Sequence, residues 1–255
     1  MPGKMKRRVP PPPPVEAEDD GPSLDPHELD LMVSRTLRFG DIFRFKAWMS
    51  TLDEDSLYMS GSVRRSGRYV HEKSTDFEME VDFQGATKGG EELTDEERTE
   101  GDVLYNKAVE DIEEIVVDIN KAIYKSLEKE YEYQTADEQV VDGIQANEYD
   151  FDEDGRRGGE LTYDQLSPEA QEKARDWFRQ GCCEDSSWSE ITLDDWKETL
   201  TEMGFGYDKD SVDISFSGFW SQGDGASFTC KSFDFDKFCN GIANPELRQR
   251  IYGAS

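Results

Sequence analysis

A chain of 255 residues in which 58 Asp and Glu face 29 Lys and Arg carries a formal net charge of −29. Such a surface repels the phosphates of bare nucleic acid and of anionic membranes, and it favours basic protein surfaces or cations. No apolar run of about 18 residues appears and the N-terminus lacks the apolar core of a signal peptide, which points to a cytoplasmic protein without a membrane span.

Residues 1–26 open with Lys4, Lys6, Arg7 and Arg8, run through Pro10 to Pro14 and end in Glu16, Glu18, Asp19 and Asp20. They read as a flexible arm, disordered or polyproline. Residues 27–255 read as a single domain. Between Pro26 and Met49, Leu29, Leu31, Met32, Leu37, Phe39, Ile42, Phe43, Phe45 and Trp48 suggest a short helix followed by a less regular apolar segment. Asp53–Ser62 has the composition of a loop. Arg68–Glu72 reads as one strand and Phe77–Phe83 as a second, with Phe77, Met79, Val81 and Phe83 inward and the acids outward.

Thr94 begins an acidic lead into the longest helix, expected over Asp102–Tyr131. Its stripe is Tyr105, Val109, Ile112, Val116, Ile119, Ile123 and Leu127, at steps of three and four. The outer face runs from Glu110, Glu114 and Asp118 to Lys121, Lys125 and Lys129, an order that complements the helix dipole. Thr135 and Glu138 have capping-box spacing for a further helix to Asn147. Ser167 and Pro168 start another, with Ala170, Ala174, Trp177 and Phe178 on its buried side. Thr192 is expected to cap the next, whose Leu193, Trp196, Leu200 and Met203 face inward before Gly204 ends it.

The costliest residues gather in Ile214–Phe228. Val212, Ile214 and Phe216 alternate with Asp213, Ser215 and Ser217; Gly218, Gly223 and Gly225 interrupt; Ala226, Phe228 and Cys230 resume the alternation. This predicts two strands joined by a structured loop carrying Phe219, Trp220, Ser221, Gln222 and Asp224, which either holds a ligand or partner or folds back onto the domain. A terminal helix follows, around Pro245 and Arg248.

Catalytic signals are sparse. Gly218–Gly223 has one residue too many for a hydrolase nucleophile elbow, and a strand rather than a helix follows it, so a Ser221, His71 and Asp224 triad has no support beyond its residue types. Cys182 and Cys183 are adjacent, Cys230 and Cys239 stand apart, and no C-x-x-C pair occurs; buried thiols fit this better than zinc. Asp150, Asp152, Asp154 and Gly155 match the first positions of a calcium loop, but Arg157 and Leu161 stand where an aliphatic residue and a bidentate carboxylate belong. That leaves a degenerate calcium site or a plain acidic turn, and no other cofactor is called for. Between Glu91 and Asp154 there are 23 acidic and 5 basic side chains. Carboxylates along rigid helices present negative charge much as a duplex does, or they serve solubility alone.

Several segments taken together carry a resemblance. Ile214–Phe228, Tyr163–Arg175, Gly67–Glu72, Leu127–Tyr133 and Ala146–Phe151 resemble a family of bacteriophage and prophage proteins marked by Ser-Gly-Phe-Trp-Ser-Gln-Gly-Asp-Gly-Ala-Ser-Phe. No activity or catalytic residue comes with the resemblance. In that family the Ser-Gly-Phe-Trp segment precedes the Tyr-Val-His and Asn-Glu-Tyr segments, and here the order is reversed. The resemblance therefore implies a circular permutation joined at Gly155–Gly159, with halves 60–155 and 160–240 in one domain.

The expected fold is α+β: an antiparallel sheet of about four strands covered on one face by helices. The expected role is non-enzymatic. An acidic phage accessory protein would bind a basic surface on a host protein, such as a defence or nucleic-acid-processing factor, in the host cytoplasm. Two alternatives stand beside it: a virion component whose Pro-rich arm reaches across neighbouring subunits in assembly, and a small-molecule-binding or catalytic protein using the Gly-rich loop. Beside the host protein, the expected partners are virion neighbours or further copies of the chain in a homo-oligomer.

Overall fold

The structure, a computed structural model, describes residues 39–53, 58–65, 75–184, 186–218 and 224–253. The arm, the expected strand Arg68–Glu72 with His71, and Phe219–Gln222 lie outside these residues. The described helices are α1 (Gly40–Met49), α2 (Asp95–Gln134), α3 (Asp137–Ala146), α4 (Pro168–Glu184), α5 (Glu190–Glu202), α6 (Phe235–Ala243) and α7 (Pro245–Tyr252). The strands are β1 (Tyr58–Arg65), β2 (Thr75–Asp82), β3 (Thr87–Lys88), β4 (Glu91–Glu92), β5 (Val212–Ser217) and β6 (Gly225–Cys230).

The periodic stripe makes α2 the axis of the fold. Ile112, Ile115, Val116, Ile119, Ile123 and Leu127 are fully buried, while Tyr105 and Val109 pack half-buried against the same core. The helix is 40 residues long and starts well before Asp102. Thr94 Oγ1 accepts from the Glu97 amide at 3.2 Å, and Glu97 accepts from the Thr94 amide at 3.0 Å. This capping box, with Asp95, Glu96 and Glu97 in the first turn, supports residues that the apolar stripe does not reach. At Gly101 the contact is made by a bare backbone, since a Cβ there would lie 2.3 Å from Trp48 Cη2. Trp48 belongs to α1, so the segment expected to be irregular is helical, with Ile42 and Phe45 buried.

Four strands form one antiparallel sheet in the order β2-β1-β6-β5, the α+β architecture expected, with helices packed on one face. Val212 pairs with Cys230, Ile214 with Phe228, and Phe216 with Ala226, so the alternating residues of both strands share a face. Phe77 and Met79 extend that face onto β2, opposite Val63 and Gly61 of β1. The expected loop at Asp53–Ser62 is corrected: from Tyr58 onward the chain is strand β1. Its signal is hidden because the central inward position is Gly61, where the Phe233 ring takes the place of a side chain.

Beta6 meets β1 at a single pair, Val63 with Cys230. Beyond it α2 takes over the open edge. Asn120, 3% exposed, accepts a hydrogen bond from the Phe228 amide at 3.2 Å. Removing that acceptor leaves a buried donor unsatisfied, so Asn120→Ala is expected to cost about 1–3 kcal/mol of stability by urea denaturation. A change below about 0.5 kcal/mol would mean that the edge is satisfied without Asn120.

A second, smaller core lies wholly within residues 140–174: Val140, Ile144, Phe151, Tyr163, Leu166, Ala170 and Ala174. Phe151 and Leu161 exchange backbone hydrogen bonds at 2.8 and 3.0 Å and close the intervening turn. Two expected caps are corrected. Thr135 does not cap α3; its hydroxyl donates back to the Tyr131 carbonyl at 2.8 Å, and the N-cap of α3 is Ala136, without a side-chain bond. With only Thr135 and Ala136 between α2 and α3, Thr135 is still engaged in closing α2. Thr192 lies inside α5, which starts at Glu190 after a 3-10 turn over Ser186–Ser189. The terminal helix expected around Pro245 and Arg248 is α7; a helix that was not expected, α6, precedes it, and the two are separated at Asn244, whose side chain accepts from the Glu246 amide at 2.9 Å.

Candidate functional site

Asp224 belongs to the base of the Gly-rich loop. It is only 8% exposed, just before β6, and its charge reaches α2. Burial first, and then the charges of Glu128 and Asp224, push the Tyr124 phenol above its ordinary range. Asp224 is thus held against the domain rather than presented to solvent.

The acidic turn at Asp150–Gly155 uses its own carboxylates. Asp152 Oδ1 accepts from the Asp154 amide at 3.0 Å and the Arg156 amide at 2.8 Å, while Asp154 pairs with Arg156 at 3.2 Å. Asp150 is exposed. No cluster of three or more His, Cys, Asp or Glu suited to a metal ion occurs among the described residues. Cys230 and Cys239 are buried free thiols. Burial raises the pKa of both, to about 12 for Cys239, where Asp236 adds to the rise and Lys46 opposes it. Both remain protonated near neutral pH.

The acidic surface lies on α2 as the periodicity requires. Glu110 and Glu114 are exposed on the side away from the buried stripe, and Asp118 is half-buried and 3.7 Å from Lys121. Asp95, Glu96, Glu100 and Asp102 continue the exposed carboxylates toward the start of the helix.

A further concavity was not legible in the sequence. Between the end of α2, α3, the turn after Tyr149, α4 and the Ser186–Ser189 turn lies a groove of about 820 Å³, walled by Tyr149, Trp177, Phe178 and Trp188. These rings meet edge-on or tilted: Tyr149 to Trp177 at 5.3 Å and 87°, and Trp177 to Phe178 at 6.4 Å and 66°. Trp188 is fixed from behind by Tyr131 at 5.7 Å and Phe216 at 5.9 Å. Arg157 lies over Tyr149 and Trp177. The one available signal was that three of the five tryptophans fall between Trp177 and Trp196.

Residues 41–137 and 188–249 match the family model of a domain of unknown function, DUF8835. The chain belongs to this family. No curated protein and no solved structure matches it. The DUF8835 match takes in all four strands of the main sheet and the body of α2, whereas residues 138–187, which it leaves out, contain every member of the second core. The aromatic groove lies where these two parts of the DUF8835 protein meet: Glu130, Gln134, Trp188 and Ile191 come from the matched part, and Tyr149, Trp177 and Phe178 from the other.

Proposed function

We infer that this DUF8835 protein is a non-enzymatic binding protein whose acidic helix engages a basic surface on a partner, of the kind that otherwise holds nucleic acid. The observation that carries this reading is the charge along α2. Glu110, Asp111, Glu113, Glu114 and Asp118 place five carboxylates in nine residues with no basic residue between them. They span a rise of about 12 Å. That is the same order of charge density as a duplex, which carries one charge per about 1.7 Å. The buried stripe holds the array rigid, so little ordering entropy is lost on docking. The resemblance to phage proteins suggests a bacterial host as the source of the partner, with a defence or nucleic-acid-processing factor as its class and the host cytoplasm as the place.

The test is capture from host cells with the tagged chain, followed by titration of the purified partner against salt and against a labelled DNA duplex. Binding should weaken steeply between 50 and 200 mM salt, roughly as protein–phosphate contacts do, and should compete with the duplex. Glu110→Gln/Glu114→Gln/Asp118→Asn should bind at least about tenfold more weakly. Salt-independent capture, equal capture by the triple variant, or recovery of the chain as a stoichiometric part of purified virions would reject the reading.

A further inference from the structure

Arg157 decides what the aromatic groove can take. Its guanidinium carbon lies 4.7 Å from the Tyr149 ring centroid and 5.5 Å from that of Trp177. Among the described residues it makes no ion pair and no side-chain hydrogen bond, in a chain with twice as many acids as bases. Its neighbours differ: Arg156 pairs with Asp154, Arg175 with Glu172, and Arg179 with Asp137. A guanidinium laid against aromatic rings keeps its five N–H donors at the edge of its plane, in a fixed fork. Those donors border the groove and suit carbonyl oxygens.

The rest of the lining supplies two other preferences. Trp177, Phe178 and Trp188 give a wall for a bulky apolar side chain, and Ile191, 77% exposed, extends it at the rim. Glu130 and Asp142 are the carboxylates of the lining, and Arg157 is its one cation among the described residues. With a net charge of −29 behind them, they favour a basic side chain and disfavour an acidic one. A groove of this volume falls in the range that encloses a short peptide segment or a ligand of similar size.

We propose that the groove binds an extended segment of a partner protein that places an arginine or lysine beside a bulky apolar residue. Arg157 holds the segment's backbone carbonyls, the tryptophans take the apolar side chain, and Glu130 and Asp142 face the basic one. Because one wall comes from residues 138–187, that segment equips the DUF8835 core with a recognition site separate from the acidic face. Asp118 lies about 18 Å along α2 from Glu130.

Selection of a random twelve-residue peptide library on the immobilised full-length chain tests this, with affinities of the enriched peptides then measured by fluorescence anisotropy. Enrichment of arginine or lysine next to Leu, Phe or Trp is expected. Trp177→Ala should weaken the enriched peptides about 30-fold, as loss of a buried aromatic anchor does. Arg157→Ala, which removes an exposed side chain and keeps the fold, should weaken them about tenfold. The triple variant at Glu110, Glu114 and Asp118 should bind them as the wild type does, so failure of the acidic-face reading leaves this result untouched. No enrichment, an acidic consensus, or full binding by Arg157→Ala would overturn the proposal.

Discussion

Phe205→Ala is expected to lower the free energy of unfolding by about 3–5 kcal/mol, the range for truncating a buried phenylalanine. Phe205 is fully buried just after α5, and its ring meets Phe228 of β6 at 5.1 Å, Phe233 at 5.3 Å and Phe238 of α6 at 5.5 Å. It therefore joins the sheet to the helices on either side of it in sequence. The backbone beneath cannot follow it into a cavity, because Gly204 holds φ +93° with its Cβ position 2.5 Å from the Asp234 carbonyl oxygen. The Asp234 amide also donates to the Gly204 carbonyl at 2.8 Å. A site pinned in this way relaxes little, which puts the cost in the upper part of the range. A domain with about 5–15 kcal/mol to spare would be left near its limit. Guanidinium denaturation followed by circular dichroism measures the loss, and Phe205→Leu should recover much of it. A loss under about 1 kcal/mol would show that the cluster is not a unit.

The α2 stripe and the β5–β6 pair were legible because each puts one period, near 3.6 or 2, onto a single buried face. Beta1 was not. Its inward position is Gly61, and the apolar group covering it is Phe233, 172 residues further along the chain. The threonine caps failed for a local reason, since a hydroxyl bonds a preceding carbonyl as readily as a following amide. Thr135 does the former. Acidic side chains on α2 were legible because charge stays at the surface. The groove was not, because Trp177, Trp188, Tyr149 and Glu130 reach it from four separate segments.

The second core should be separable from the first, and Gly155→Val should show it. Gly155 has φ +80°, and a Cβ there would lie 2.1 Å from the Ala170 carbonyl oxygen. A β-branched residue in the left-handed region that also strikes backbone has no side-chain rotation to escape into, so the local cost is expected to be about 3 kcal/mol or more. Gly158→Ala is the control. Its φ is +104° with nothing within 4 Å of the added Cβ, which isolates the conformational part of the cost. The isoleucine methyl signals report on the two cores separately, Ile144 on the smaller and Ile119 and Ile123 on the larger. Gly155→Val should collapse the dispersion of Ile144 and open residues 138–187 to protease, while Ile119 and Ile123 keep their native shifts and the sheet persists. Gly158→Ala should leave all three in place. The physical ground is that no residue of the smaller core is shared with the larger, so losing its packing takes no apolar contact from the sheet or the buried α2 stripe. Simultaneous loss of all three signals would instead mean that the two cores fold as one cooperative body, and the groove between them would then be an inseparable part of the fold.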